Sequence, residues 1–259
     1  MSTATLRSRS RDRQTASVQF KVADSPTERR DAFGLVYDQY LKTGLTEPNA
    51  HRVRVTPYHL LPTTHVFVAY NRGEIAATMT LVGDGALGLP MESIYGDEVQ
   101  ERRAQGLRLC EVSCLADRRS DRRDFLTVFV GLSRVLAQFA RRQGYDQLLV
   151  VCHPKHSAFY RRYLGFAMIG SVAECPHVQN KPAVPLCLDF DYVDHHPPAC
   201  YKRFFGDWLP DEQLRPSRMG PIEINVLRQM VDRTFQRTLK PAVWTSEVEA
   251  DSELELAAV

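Results

Sequence analysis

Glu111 stands in the run LRLCEVSCLA, residues 107–116, among Leu, Cys, Val and Ala. A segment of that composition reads as a central strand buried on both faces. Burying a carboxylate there is costly unless a partner compensates it or it keeps its proton. A desolvated glutamate has a raised pKa, which suits a general base taking a proton from an amine near neutral pH. The same burial fits a structural ion pair with an arginine of a neighbouring element, and the residues alone leave both readings open. Strand alternation puts Glu111, Ser113 and Leu115 on one face and Cys110, Val112 and Cys114 on the other. Cys114 is a poor nucleophile on this reading, because no basic residue adjoins it and burial raises a thiol's pKa.

His153, in VCHPKH, directly follows a strand pattern at 146–152. Strand carboxyl ends are where α/β sheets commonly place ligand-binding groups, so His153 is a second candidate base. His156 lies three residues on, but a proline separates the pair and no third ligand is evident, so no metal is expected. Capping or orienting the short helix explains both histidines equally well. In FYRRYLGF, residues 159–166, either Tyr160 or Tyr163 can protonate a departing thiolate if its phenol faces a cleft, with packing as the default explanation. Arg118, Arg119, Arg122 and Arg123 precede a helix start, where unpaired N–H groups and the positive dipole end favour anions. They read as a phosphate site, a docking patch for an acidic protein, or a solvated loop.

The elements that position these residues follow from periodicity. Ser25-Pro26-Thr27-Glu28 opens a helix whose apolar positions recur to Gly44. Residues 45–63 form a long aperiodic connection of a kind that covers substrates. HVFVAY and EIAATMTLV form a hairpin around Asn71-Arg72-Gly73. A helix over 91–105, the strand of Glu111, a helix over 125–142, the strand at 146–152, a helix from Pro154 to Tyr163 and strands FAMIGSV and AVPLCLDF complete the order. This is a mixed α/β (α+β) arrangement, with helices on a largely antiparallel sheet. The Pro- and aromatic-rich segment after Asp191 reads as a strap on the core, and 221–239 as a terminal helix. The chain therefore divides into a disordered basic arm (1–17), a folded core (18–190), a strap and helix packed on it (191–240) and a disordered acidic tail (241–259).

Composition excludes several classes. With 259 residues, 44% hydrophobic and 25% charged, the chain is neither collagenous nor disordered. A net charge of +2 argues against a nucleic-acid binder. No apolar run reaches the roughly 18 residues of a membrane span, and the basic start has no apolar segment behind it, so a cytoplasmic protein is expected. The six cysteines sit mostly among Val, Leu and Ala and read as reduced, buried hydrophobes.

Several segments in order, LVYDQY, ATMTLVGDGALGLPMESIYGDEV, GLRLCEVSCLA, HPKHSAFYRRYLGF and PAVPLCLDF, resemble the N-acyl amino acid synthases of the long-chain N-acyl tyrosine type. These are GNAT-like acyltransferases related to the acyl-homoserine-lactone synthases. The resemblance covers about residues 28–190. It implies a sheet whose two central strands splay apart to admit the pantetheine arm of an acyl thioester. It further implies a fatty acyl group carried by acyl carrier protein and attacked directly by an amino acid's α-amine, with no cofactor beyond that acyl-phosphopantetheine donor. By the same resemblance Glu111 is the base, directly or through a water. Backbone amides near Ser113, Cys114 and Leu115 polarise the carbonyl. His153 and Tyr160 line the thioester end, and Val66, Val68, Met79 and Leu81 line the acyl tunnel or belong to the ordinary core. The glycine-rich loop that wraps coenzyme A in GNAT enzymes is absent, since residues 117–124 read DRRSDRRD. That arginine-rich replacement suits docking of an acidic carrier. Two alternatives share the pattern: a lactone-forming relative that also uses S-adenosylmethionine, and an inactive acyl-ligand sensor.

Overall fold

The computed structural model describes residues 18–71, 73–118 and 122–236, apart from the side chains of residues 122–124, 233 and 236. The basic arm and acidic tail expected at the termini lie outside the described residues.

Strand β1 (Gln19–Val22) leads into helix α1 (Pro26–Lys42), whose N-cap Ser25 accepts the Glu28 N–H at 3.3 Å, as the sequence signature requires. The hairpin is β2 (Thr64–Asn71) and β3 (Glu74–Gly83), followed by α2 (Glu92–Ala104) and β4 (Leu109–Asp117). Helix α3 (Arg122–Arg142), β5 (Gln147–Cys152), α4 (Pro154–Leu164), β6 (Ala167–Met168), β7 (Ala173–Cys175) and β8 (Lys181–Asp189) complete the core. Four short helices follow: α5 (Phe190–His195), α6 (Tyr201–Phe205), α7 (Pro221–Arg228) and α8 (Arg233–Gln236).

The sheet order is β1-β2-β3-β4-β5-β8-β6, with β7 also paired to β8. Every pairing is antiparallel except β4 with β5. Helix α3 covers one face, its Val128, Leu132, Leu136 and Phe139 packing on Phe67, Met79, Leu81 and Leu148. Close approach at the edge of this layer requires a glycine: a Cβ on Gly131 would collide with the Phe20 ring of β1. Helix α1 and the C-terminal segment cover part of the opposite face through Phe33, Val36, Val66, Val68 and Leu227. Helix α2 covers the rest through Tyr95 and Val99 on Leu109 and Leu149.

Four elements depart from the sequence reading. Strand β1 is too short for its alternation to register. The expected strand at FAMIGSV shrinks to two residues of pairing, Ala167 with Cys187 and Met168 with Leu186. The strap is helical, and fully buried Gln138 of α3 fastens it: its Nε2 donates to the carbonyls of Phe204 (2.6 Å) and Asp207 (2.9 Å), and its Oε1 accepts the Leu209 N–H. The expected terminal helix breaks after Arg228, where Val231 leaves to bridge Val55. Arg29, 4% exposed, pins α7 to α1 by a two-pronged pair with Glu223 at 2.7 and 2.6 Å.

Candidate active site

Strand β4 does not keep its alternation. Thr80 of β3 pairs with Ser113, but Thr78 pairs with Ala116, so Cys114 and Leu115 together oppose the single residue Met79. This is a β-bulge, and Cys114 occupies it with φ 53°. Beyond the bulge the faces exchange: Cys114 packs with the α1 layer and Leu115 with the α3 layer. The expected sharing of one face by Glu111, Ser113 and Leu115 is thus overturned by one extra residue. On its other side β4 pairs with β5 only as far as Val112 with Val150, while β5 runs on beside β8 to Cys152. The two parallel strands therefore part at Ser113.

A cavity of about 670 Å³ passes through this gap, within the size range of pockets that enclose a small organic ligand. On the α3 side it is apolar and aromatic, lined by Phe125, Phe129, Phe159, Tyr160, Phe166 and Phe204 among others. On the other side it meets Tyr40, Arg54, Met91, Glu111, Cys175 and His177. Of the strand residues expected to line an acyl tunnel, Met79 reaches the cavity. Val66 and Val68 lie in the α1 layer and Leu81 in the α3 layer, because the register pairs Phe67 with Met79 and so puts Val66 and Met79 on opposite faces.

Glu111 is 4% exposed and borders the cavity. Its Oε2 accepts the Met91 backbone N–H at 2.8 Å, at the start of α2. Burial raises its pKa to about 8 and the Met91 amide opposes that rise. No guanidinium bonds to it among the described residues. The segment carrying Met91 is itself braced: Glu92 Oε1 accepts the Leu89 N–H at 2.6 Å, and Arg103 ties Glu92 to Asp84.

His153 caps α4, its Nδ1 accepting the Lys155 N–H at 3.2 Å, and it is exposed at the cavity rim. That bond leaves Nε2 as the protonated nitrogen of the neutral ring. Tyr160 and Tyr163 separate clearly. Tyr163 is 57% exposed, whereas Tyr160 lines the cavity, edge-on to Phe129 and Phe166 at 6.3 and 5.4 Å. Burial and the nearby Cys152 push the Tyr160 phenol above the ordinary tyrosine range, so it holds its proton. Ser113, Cys114 and Leu115 all line the cavity where the strands part. Burial raises the Cys114 thiol pKa, which keeps it a thiol.

Arg118 is exposed and pairs with Glu74 at 3.3 Å. Arg119 and the side chains of Arg122 and Arg123 lie outside the described residues.

The sequence model of N-acyl amino acid synthase FeeM matches residues 31–189, more than half of the chain. The chain belongs to the FeeM family of N-acyl amino acid synthases. It is an acyltransferase of GNAT-like fold. The structure of FeeM, from uncultured soil microbes, superposes with a TM-score of 0.62 at 26% identity, covering 72% of this chain and 97% of that one. The acyl-homoserine-lactone synthase LasI superposes at 0.56 and 13% identity over 75% of this chain and 97% of its own, a likeness of fold. No curated protein matches the sequence. Among the described residues no helix is long and apolar enough to cross a membrane.

Arg54 and His177 are among the polar residues of this family member's cavity that escaped the sequence reading. Arg54 sits in the 45–63 connection, and His177 follows β7. Much of that connection is buried, Val53 through Leu60 inclusive, and its Leu45 and Arg54 line the cavity. Nothing in its aperiodic composition announces that it turns inward.

Proposed function

We propose that this family member transfers a long-chain fatty acyl group from acyl carrier protein to the α-amine of an amino acid. The observation that carries the reading is a single cavity threading the β4–β5 gap, with an aromatic-lined apolar lobe on one side of the sheet and Glu111 on the other. The thioester lies in the gap, the acyl chain fills the apolar lobe and the acceptor enters the lobe of Glu111.

The acceptor's ammonium gives one proton to ionised Glu111, and the freed amine attacks the thioester carbonyl. Main-chain amides released from pairing at the bulge bind the developing oxyanion. As the C–S bond breaks, the phenol of Tyr160 protonates the leaving thiolate. The remaining surplus proton on nitrogen departs to solvent past exposed His153, Tyr160 regains its proton by the same route, and Glu111 gives up the proton it took to solvent, so that one proton is released per turnover and the base is ionised again. The products are an amide and the free carrier thiol. The carrier docks through its acidic surface on Arg118, Arg119, Arg122 and Arg123.

The test is to incubate the protein with labelled acyl carrier protein, or with the same acyl group on coenzyme A, and a mixture of amino acids, and to weigh the products. Carrier-dependent N-acyl amino acid is expected. Release of fatty acid alone, or no product with any acceptor, overturns the reading.

A further inference from the structure

We propose that Arg54 and His177 hold the α-carboxylate of the acceptor amino acid in the lobe that contains Glu111. The inference rests on the amino acid acyltransferase reading and names the subsite that reading requires.

Arg54 is 3% exposed and His177 is 7% exposed, and both line the cavity. The Arg54 guanidinium is held from behind: Nη1 donates to Thr46 Oγ1 (3.0 Å) and Asp232 Oδ2 (2.9 Å), and Nη2 to the His177 carbonyl (2.5 Å). Its Nε has no hydrogen-bond partner, the nearby Cys114 thiol being a weak acceptor at most, and neither ring nitrogen of His177 has one. Leaving such groups buried and unpaired costs about 1–3 kcal/mol each, so three of them on two residues that line one cavity mark a place where a small shift of the side chains lets a ligand complete the bonding. The His177 ring is fixed flat against Phe235, centroids 4.1 Å apart, so its nitrogens point from the stack's edge. Rings of Tyr40 and Phe235 flank the guanidinium at 5.0 and 5.5 Å and fix its plane.

The chemistry of these groups selects an anion with several acceptor sites. Arg54 donates only, and a neutral imidazole always offers one N–H. Asp232 offsets the Arg54 charge from behind, so Arg54 is not an unbalanced buried cation before the acceptor arrives. The geometry supplies the orientation as well. Arg54 and Glu111 line one cavity together with Cys114 and Cys175, so the cation and the carboxylate share one space. In an amino acid the two charged groups share one carbon. A carboxylate seated on Arg54 and His177 therefore turns the amine toward Glu111 and the bulge at Cys114.

The test compares kcat/KM for the common L-amino acids with that for their carboxamides and decarboxylated amines, using the preferred acyl donor. The wild-type protein is expected to prefer the carboxylate by at least about 100-fold, because an analogue lacking it leaves buried donors unpaired. His177→Phe keeps the stack on Phe235 and leaves the main-chain carbonyl that holds Arg54. It is expected to cut the acid-to-amide ratio about tenfold, chiefly through KM. Arg54→Lys, which keeps the charge facing Asp232, is expected to do the same if its melting curve shows a folded protein. Amides and amines acylated as well as the acids, or a ratio unmoved in both variants, overturns the subsite and leaves the acyltransferase reading standing. No acylation of any acceptor overturns the parent reading instead.

Discussion

The backbone N–H of Met91 points at Glu111 Oε2 from 2.8 Å, so the first residue before helix α2 is bound to the buried carboxylate of strand β4. The helix N-terminus supplies the ionised form with a partner while burial penalises it, and the balance sets the carboxyl near pH 8. If Glu111 must be ionised to take the acceptor's proton, kcat/KM rises with pH as this group titrates, with a midpoint near 8. Glu111→Gln keeps an oxygen for the Met91 amide and cannot take a proton. It should lose about 10²–10⁴-fold in kcat, and its residual profile should follow the acceptor's own ammonium. Rate profiles of both proteins from pH 6 to 9.5 check this; a wild-type profile identical in shape to the variant's would remove Glu111 from the role of base.

The same carboxyl makes stability depend on pH. In the unfolded chain it ionises around its ordinary value of 4.5, whereas in the folded protein it holds its proton to about 8. Between those values the unfolded state binds fewer protons than the folded one, so this residue's contribution falls as pH rises and levels off above pH 8. Glu111→Gln removes the penalty. Its stability advantage over wild type should be small near pH 4.5 and grow to a few kcal/mol by pH 8, an order-of-magnitude figure from the size of the shift. Urea titrations at pH 5, 6.5 and 8 measure it, and a difference independent of pH would contradict the assigned burial cost.

Cys114 carries the bulge at φ 53°, a conformation that costs a non-glycine residue about 1–2 kcal/mol. A β-branched side chain tolerates it less. Cys114→Val should destabilise the fold by about 2 kcal/mol and lower kcat, because the strand regains its pairing by turning the amides of the bulge. Cys114→Gly should keep most of the activity. Chemical denaturation and single-turnover rates decide it, and equal activity in the two variants would separate the bulge from catalysis.

That bulge also marks where the sequence stops being legible. The helix starts at Ser25 and Pro154, the hairpin at Asn71–Glu74 and the buried strands at 109–117 and 147–152 follow from local chemistry, and the structure places them there. Glu111 was conspicuous because a charge within an apolar run is expensive wherever the run folds. Strict alternation beyond it failed, since one inserted residue reverses every later side chain and leaves no compositional trace. Arg54 and His177 were hidden for a different reason: both sit outside the core helices and strands of the cavity, in segments without a period, and only the fold brings them to one lobe.

Ala137 of α3 is 5% exposed and lines the apolar lobe, beside Ser133 and Leu136 on the same helix. A larger side chain there takes volume from the lobe. Ala137→Phe should shift the products toward shorter acyl chains, at a stability cost of about 1–3 kcal/mol for overpacking. Mass spectrometry of products formed from a mixture of chain lengths on the same carrier checks the shift. An unchanged distribution would place the acyl chain elsewhere.

Carrier docking through the arginines before α3 predicts a loss that depends on what carries the acyl group. Arg118 is exposed and its pair with Glu74 is a surface contact, worth about 0–1 kcal/mol, so the arginine can exchange that partner for a carrier carboxylate at little cost. Reversing Arg118 and Arg122 to Glu should raise KM for the carrier-bound donor about tenfold or more, because like charges then meet across the interface. A short acyl-pantetheine thioester has no acidic surface, so its KM should move far less. Added salt screens exposed charges beyond roughly 8 Å at 0.15 M, so it should weaken the wild-type carrier reaction and narrow its difference from the variant. Steady-state kinetics with both donors at two ionic strengths makes the comparison, and equal losses with carrier and pantetheine would assign these arginines to the fold or the thioester arm rather than to the carrier.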